Sequence, residues 1–136
     1  MTGARIGIGV TVLVTLFLAL DAAGKLFAPA MMIANSPPLG LPGDLGFHRM
    51  LGAVLAACEV LYAVPRTSLL GAILLTAYLG GAVATHARVG SPLVSHTLFG
   101  VYLGIALWLC LALRRPALRA LLSGAKPRPD PQGEMP

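Results

Sequence analysis

The chain has 136 residues, of which 57% are hydrophobic and 11% are charged, and its mean hydropathy is +0.82. Because soluble domains carry roughly 25% charged residues, this composition excludes a soluble globular domain. The net charge of +5 does not indicate a nucleic-acid partner, since five of the ten basic residues follow the last apolar segment. That distribution is typical of the cytoplasmic side of a membrane protein.

The first apolar segment follows Arg5 and predicts a membrane helix over residues 6–27. About 20 apolar residues are needed to span the hydrocarbon core of a bilayer. A cleavable signal peptide ending near Ala30 is the alternative, and the length of the apolar segment disfavours it. Asp21 and Lys25 stand four residues apart, so they share a helix face and form a predicted ion pair.

Residues 28–45 are rich in proline and glycine and cannot continue this helix. The loop is long for a helical bundle, and it is interpreted either as a structural connection or as a cover over a site. A second helix is predicted over 46–64. Five residues at helical spacing define one face of it: His48, Gly52, Leu55, Glu59 and Tyr62.

Glu59 is the one carboxylate inside this predicted helix, and we expect it to face the bundle interior. An ionisable side chain exposed to lipid costs several kcal/mol, which an interior position with hydrogen-bond partners avoids. The expected partners are three hydroxyl side chains: Thr15, Thr76 and Tyr62.

A third helix is predicted over 67–86 and a fourth over 97–113, joined by a short polar segment. Such helices pack closely in lipid when small residues share a face. Cys58 and Cys110 lie inside apolar segments without a CxxC spacing, and we interpret them as small buried hydrophobic residues. The small residues that recur at every fourth position are Ala72, Thr76, Gly80, Ala84, Gly100 and Gly104.

The predicted fold is an all-α membrane protein, an antiparallel bundle of four transmembrane helices that forms one domain at 1–122. The tail at 123–136 contains four prolines in fourteen residues and is predicted to be disordered and cytoplasmic. Four crossings place both termini on the same side. With the termini inside, the cytoplasmic segments hold seven basic residues and the outer segments three, so both termini are predicted to be cytoplasmic.

In this orientation all four helices bring titratable side chains to the outer end of the bundle. Helix ends are polar in many membrane proteins, and the alternative is an acid/base or anion-holding site. No metal site is predicted, because the three histidines lack a paired spacing such as HxxxH. The candidate catalytic residues are Glu59, Asp21, His86 and His96. The candidate ligand-binding residues are Lys25, His48, Arg49, Tyr78 and Arg88.

A further pattern lies mainly in the second half of the chain. It consists of Pro65-Arg66-Thr67, the segments at 71–76, 78–86 and 88–90, and the pairs Leu103-Gly104 and Leu107-Trp108, with Lys25-Leu26 earlier in the chain. These residues resemble the DoxX-like family, and the resemblance covers most of 5–122. In similar sequences a glutamate often stands near position 55, whereas here the carboxylate is Glu59, one turn further along. The resemblance implies a four-helix bundle in the bacterial cytoplasmic membrane.

The family takes its name from a subunit of a thiosulfate:quinone oxidoreductase. The resemblance therefore implies a quinone or another lipid-soluble ligand, bound by a small subunit of a membrane redox system. The sequence contains no haem-ligand pair, flavin fingerprint or iron–sulfur motif, so no covalent or motif-bound cofactor is predicted. The expected partners are the lipid bilayer, a membrane or redox protein and further copies of this chain, with no nucleic acid.

Two other functions fit the same residues. One is an intramembrane acid/base enzyme, an isomerase or a hydrolase, acting on a hydrophobic substrate through Glu59 or Asp21 with the histidines. The other is a non-catalytic accessory or scaffold protein that recruits partner helices through its small-residue faces.

Overall fold

Four long helices and two short ones build the structure, a computed structural model that describes residues 2–35 and 39–124. The long helices are α1 (Thr2–Phe27), α3 (Leu45–Ala63), α4 (Ser68–Arg88) and α5 (Phe99–Arg114), and the short ones are α2 (Pro29–Asn35) and α6 (Pro116–Leu122). A π-helical turn, Leu93–Thr97, leads into α5. Four helical segments are long and apolar enough to cross a membrane, so the predicted fold class is confirmed.

The four long helices form a closed ring in which each one packs against its neighbours along the chain. Helix α1 contacts α3, α3 contacts α4, α4 contacts α5, and α5 closes the ring against α1. Consecutive long helices run antiparallel, and the connection between α3 and α4, residues 64–67, is the short one. The predicted boundary at residue 122 stays a prediction, and the predicted tail lies outside the described residues apart from Ser123 and Gly124.

Leucine side chains and one tyrosine fill the centre of the bundle. The side chains with almost no exposed surface are Leu55, Tyr62, Leu75, Leu107, Cys110 and Leu111. Cys58 is also buried, so both cysteines occupy the apolar core as interpreted from the sequence. The outer surface is equally apolar, with Leu13, Val60 and Leu109 each 60% exposed or more. A surface of this kind faces lipid rather than water.

Helices α3 and α4 make the closest helix contact of the bundle near their connection. A Cβ atom placed on Gly71 would lie 2.2 Å from the backbone N of Tyr62, so only glycine fits there. The Tyr62 hydroxyl donates a hydrogen bond of 2.9 Å to the carbonyl of Leu107 on α5. The Arg114 guanidinium lies 4.7 Å from the centre of the Tyr62 ring. Tyr62 therefore fastens α3, α4 and α5 together at this end.

The small residues predicted to pack closely divide into two groups. Ala72 is fully buried, and a Cβ on Gly100 would lie 3.1 Å from the carbonyl oxygen of Leu79, so both take part in close packing. Gly80 and Gly104 instead line a shallow apolar groove on the outer side of the α4–α5 contact, where an added Cβ would meet nothing within 4 Å. The predicted close packing through small residues is therefore found at Ala72 and Gly100 but not at Gly80 and Gly104.

Trp108 also lines that outer groove, and it ties α5 to α4. Its indole Nε1 donates a hydrogen bond of 2.9 Å to the Thr76 hydroxyl, which itself donates to the carbonyl of Ala72. The link reinforces the contact between the two helices from its lipid side.

The predicted interior face of α3 is right at four positions and wrong at Glu59. The buried position between Leu55 and Tyr62 is Cys58, whereas Glu59 is only half-buried. No hydrogen bond reaches Glu59 from any described residue, and each predicted hydroxyl partner donates elsewhere. Glu59 lies four residues before the end of α3, about 6 Å along the axis, so its carboxyl lies close to the membrane surface without needing an interior partner.

Candidate ligand cavity at the histidine end

The two ends of the bundle differ in chemistry, and the three histidines all lie at one of them. We call this the histidine end; it comprises the C-terminal turns of α1 and α4 and the N-terminal turns of α3 and α5. His48 lies in the first turn of α3, His86 in the last turn of α4, and His96 in the π-helical turn before α5. The opposite end, where Tyr62 packs on Gly71, is called the Tyr62 end.

A cavity of about 920 Å³ lies at the histidine end between the four long helices. Its volume is at the upper end of the range for small-molecule sites. Much of the wall is apolar, formed by Phe17, Leu18, Leu51, Leu79, Phe99 and Leu103. Six of the nine predicted site residues line it: Asp21, Lys25, His48, Tyr78, His86 and His96. These six side chains form the polar part of the wall.

Asp21 and Lys25 form the predicted ion pair within the last two turns of α1. Both side chains are partly buried at the cavity wall. Because the two charges neutralise each other, the pair adds polarity to the wall without adding net charge. This arrangement suits a ligand with a polar but uncharged headgroup.

His48 is the most buried of the three histidines, with 8% of its surface exposed. Its ring Nδ1 lies 3.1 Å from the carbonyl oxygen of Asp44. A carbonyl can only accept, so Nδ1 carries the proton and Nε2 of the neutral ring is an acceptor. The edge-to-face contact with the Phe47 ring, at 5.7 Å between centroids, orients the imidazole further.

His86 and His96 lie next to each other, with ring centroids 6.0 Å apart. The Nδ1 atom of His86 lies 3.1 Å from the Ser91 hydroxyl, and that of His96 lies 2.8 Å from the Ser95 hydroxyl. The pair thus joins the end of α4 to the entry of α5 across the cavity wall.

His96 lies within a π-helical turn at this wall. The hydrogen bonds of this turn run over five residues, from the Leu98 N–H to the carbonyl of Leu93 and from the Thr97 N–H to the carbonyl of Pro92. One extra residue per turn rotates the side chains relative to a regular helix, and such turns recur at functional sites. The sequence did not predict this π-helical turn, because a change in helical period over five residues does not alter the pattern of apolar residues enough to be recognised.

Three predicted site residues do not line the cavity. Glu59 lies toward the Tyr62 end, and Arg49 is exposed on the outer face of α3. Arg88 donates a hydrogen bond of 2.8 Å from Nη2 to the carbonyl of Leu39 and so contacts the loop before α3. Arg49 and Arg88 therefore share the histidine end with the cavity residues without lining the cavity, whereas Glu59 lies away from that end.

Aromatic side chains and a loop complete the site; the sequence analysis did not assign the aromatic residues to it and left the loop either as a connection or as a cover. Phe17 and Phe99 meet edge to face with ring centroids 5.4 Å apart, and Phe47 lies opposite on α3. Residues 39–43, within the predicted proline- and glycine-rich loop, line the cavity as well. The unusual length of that loop was the available signal, and it left a cover as one of two interpretations.

The described residues contain no group of three histidine, cysteine, aspartate or glutamate side chains close enough to hold a metal ion. The hydrogen-bond donors and acceptors at the histidine end are instead spread around a cavity with mainly apolar walls. What the arrangement can do chemically is hold a polar headgroup by hydrogen bonds and transfer protons to or from it.

These features define a four-helix integral membrane protein with a ligand-sized cavity at one end of the bundle. The chain belongs to the DoxX-like family, whose family model matches residues 9–110. No curated protein and no solved structure matches the chain.

Proposed function

We propose that this protein binds a lipid-soluble molecule of the quinone class in the cavity and acts as a small subunit of a membrane redox system. The observation that carries the proposal is the cavity itself. Its wall combines polar groups, namely the three histidines, Tyr78 and an ion pair, with apolar and aromatic side chains of membrane-crossing helices. An amphiphilic ligand with a ring-shaped headgroup and an apolar tail matches that division.

The hydrogen-bonding groups of the cavity suit both forms of a quinone. A quinone has two carbonyl acceptors, to which the Tyr78 hydroxyl is a donor. Nε2 of His48 is an acceptor and suits a hydroxyl of the quinol. Reduction of the quinone takes up two electrons and two protons. The electrons come from a partner redox protein, and the histidines relay the protons.

Titration of the purified protein in detergent with a short-chain quinone, followed by calorimetry, tests the proposal. Tyr78→Phe should weaken binding about fivefold, because one hydrogen bond is worth about 1 kcal/mol. Tyr102→Phe is the matched control, since Tyr102 lies on the lipid-facing side of α5 and outside the cavity. Equal loss in both variants, or no binding to folded wild-type protein, would contradict the proposal.

The acid/base enzyme is the second candidate, favoured by Asp21 and the His86–His96 pair at one cavity wall. Mass spectrometry of the lipids that co-purify with the protein separates the candidates. A bound quinone supports the redox subunit, and a chemically converted lipid supports the enzyme. A co-purifying protein without a small molecule supports the scaffold.

We also propose that both termini face the cytoplasm of a bacterial cell and that the histidine end faces outward. The seven-to-three distribution of basic residues supports this orientation. Reporter fusions after Ala34, Arg66, Gly90 and Ser123 should read outside, inside, outside and inside. An outside signal at Ser123 would overturn the orientation.

A further inference from the structure

We propose that Arg88 is a positioning residue, which holds the loop at 39–43 over the cavity instead of contacting the ligand. We call these five residues the roof loop. The inference rests on the proposed function in one respect, namely that the cavity receives a ligand. The attachment of the loop by Arg88 does not depend on it.

The contact between Arg88 and the roof loop joins residues 49 positions apart in the chain. Arg88 is the last residue of α4, and its Nη2 donates a hydrogen bond of 2.8 Å to the carbonyl of Leu39. Hydrogen bonds from a charged donor are stronger than those between neutral groups. The guanidinium therefore fixes the start of the roof loop to the end of α4.

Gly40 shows that the loop backbone is shaped around the guanidinium. Its φ angle is +63°, in the left-handed region that favours glycine, and a Cβ there would lie 3.1 Å from Nη2 of Arg88. A side chain at position 40 would thus both strain the loop and push against Arg88. The glycine at position 40 and the hydrogen bond from Arg88 therefore fit the same conformation of the loop.

The other end of the roof loop is fixed by Asp44, which caps α3. The Asp44 carboxylate accepts a hydrogen bond of 2.8 Å from the Phe47 N–H, and its carbonyl oxygen lies 3.1 Å from Nδ1 of His48. Among the described residues, Arg88 and the Asp44 cap are thus the two polar attachments that flank the roof loop.

All five residues of the roof loop line the cavity, so a ligand there lies against the loop. Movement of the loop away from the end of α4 would widen the path by which the ligand leaves. Arg88 therefore controls how long the ligand stays bound, whereas the groups inside the cavity determine which ligand is bound.

Hydrogen exchange measured by mass spectrometry on the full-length protein in detergent tests the attachment. Arg88→Ala should raise the exchange rate of the amides at 39–43 at least tenfold. Arg49→Ala is the matched control, an exposed arginine at the same end whose removal should leave that rate unchanged. Gly40→Ala should raise the rate as well, and Arg88→Lys, which keeps a cationic donor, should restore part of the protection.

The dissociation rate of a short-chain quinone is the second readout, on variants with the unfolding midpoint of the wild type. Arg88→Ala should release the quinone at least fivefold faster, with a smaller change in the association rate. Unchanged exchange at 39–43 overturns the attachment, and faster exchange with unchanged release overturns the role of the loop as a roof. If wild-type protein binds no quinone, the proposed function fails and the exchange rates alone decide the role of Arg88.

Discussion

The Tyr62 end and the histidine end are built from the same four helices but hold them at different separations. At the Tyr62 end, Gly71 lets α4 touch the backbone of α3, and Tyr62 donates across to α5. At the histidine end the helices enclose a cavity of about 920 Å³. The Tyr62 end therefore holds three helices in direct contact, whereas the histidine end leaves space among the helices for a ligand.

Two glycines of α4 show how the same residue type serves both purposes. A Cβ on Gly71 would lie 2.5 Å from Cα of Tyr62, whereas a Cβ on Gly81 would meet nothing within 4 Å, and Gly81 lines the cavity. Gly71 brings two helices together, and Gly81 leaves space between them. A small residue in a membrane helix thus indicates either a contact or a void, and the position of the neighbouring helix decides which.

The substitution with the largest expected effect is Gly71→Ala. The new methyl group would overlap the Tyr62 backbone, which cannot rotate away, so we expect a loss of at least about 3 kcal/mol in the free energy of unfolding. The measurement is unfolding in mixed micelles. Gly80→Ala on the same helix is the control and should gain up to about 1 kcal/mol from helix propensity. Equal stability of the two variants would show that α3 and α4 do not touch at Gly71.

Tyr62→Phe should have an intermediate effect. It removes the hydrogen bond to the Leu107 carbonyl but keeps the ring beneath Arg114, so the expected loss is about 1 kcal/mol. Tyr102→Phe, on the exposed side of α5, should change the free energy of unfolding by less than about 0.5 kcal/mol. If both phenylalanine variants match the wild type, Tyr62 does not fasten the three helices.

His96→Ala should have the smallest effect on stability, below about 0.5 kcal/mol, because the side chain is exposed and its hydrogen bond is to the adjacent Ser95. His48→Ala removes a buried ring and its bond to Asp44 and should cost about 1 kcal/mol or more. Thermal unfolding in detergent compares the two. A His96 variant less stable than the His48 variant would mean that the π-helical turn supports the bundle.

The fold was predictable from the sequence because segment length and apolar content decide membrane crossing almost alone. The polar part of the cavity was predictable for a related reason. In an antiparallel bundle the first and third connections lie at the same end, and this brings Asp21, His48 and His86 to one cavity. Neither argument needs the helix rotations.

Features that depend on rotation or on loop conformation were not predictable. To assign Glu59 to the interior, the rotation of α3 about its own axis would have to be known to within one residue. In the structure Cys58 occupies the interior position instead. The attachment of Arg88 to Leu39 depends on a left-handed backbone at Gly40, which no periodicity reports. The π-helical turn that carries His96 changes the helical period over only five residues.

The hydrogen bond between Trp108 and Thr76 gives the protein a built-in optical probe. The sequence contains a single tryptophan, so all indole emission comes from this position on the outer side of the α4–α5 contact. Trp108 lies six residues before the end of α5, about 9 Å along the helix axis. Brominated lipids with the halogen at known acyl positions should therefore quench it most strongly at that depth. Spectra of the native chain then locate the bundle in the bilayer without any label.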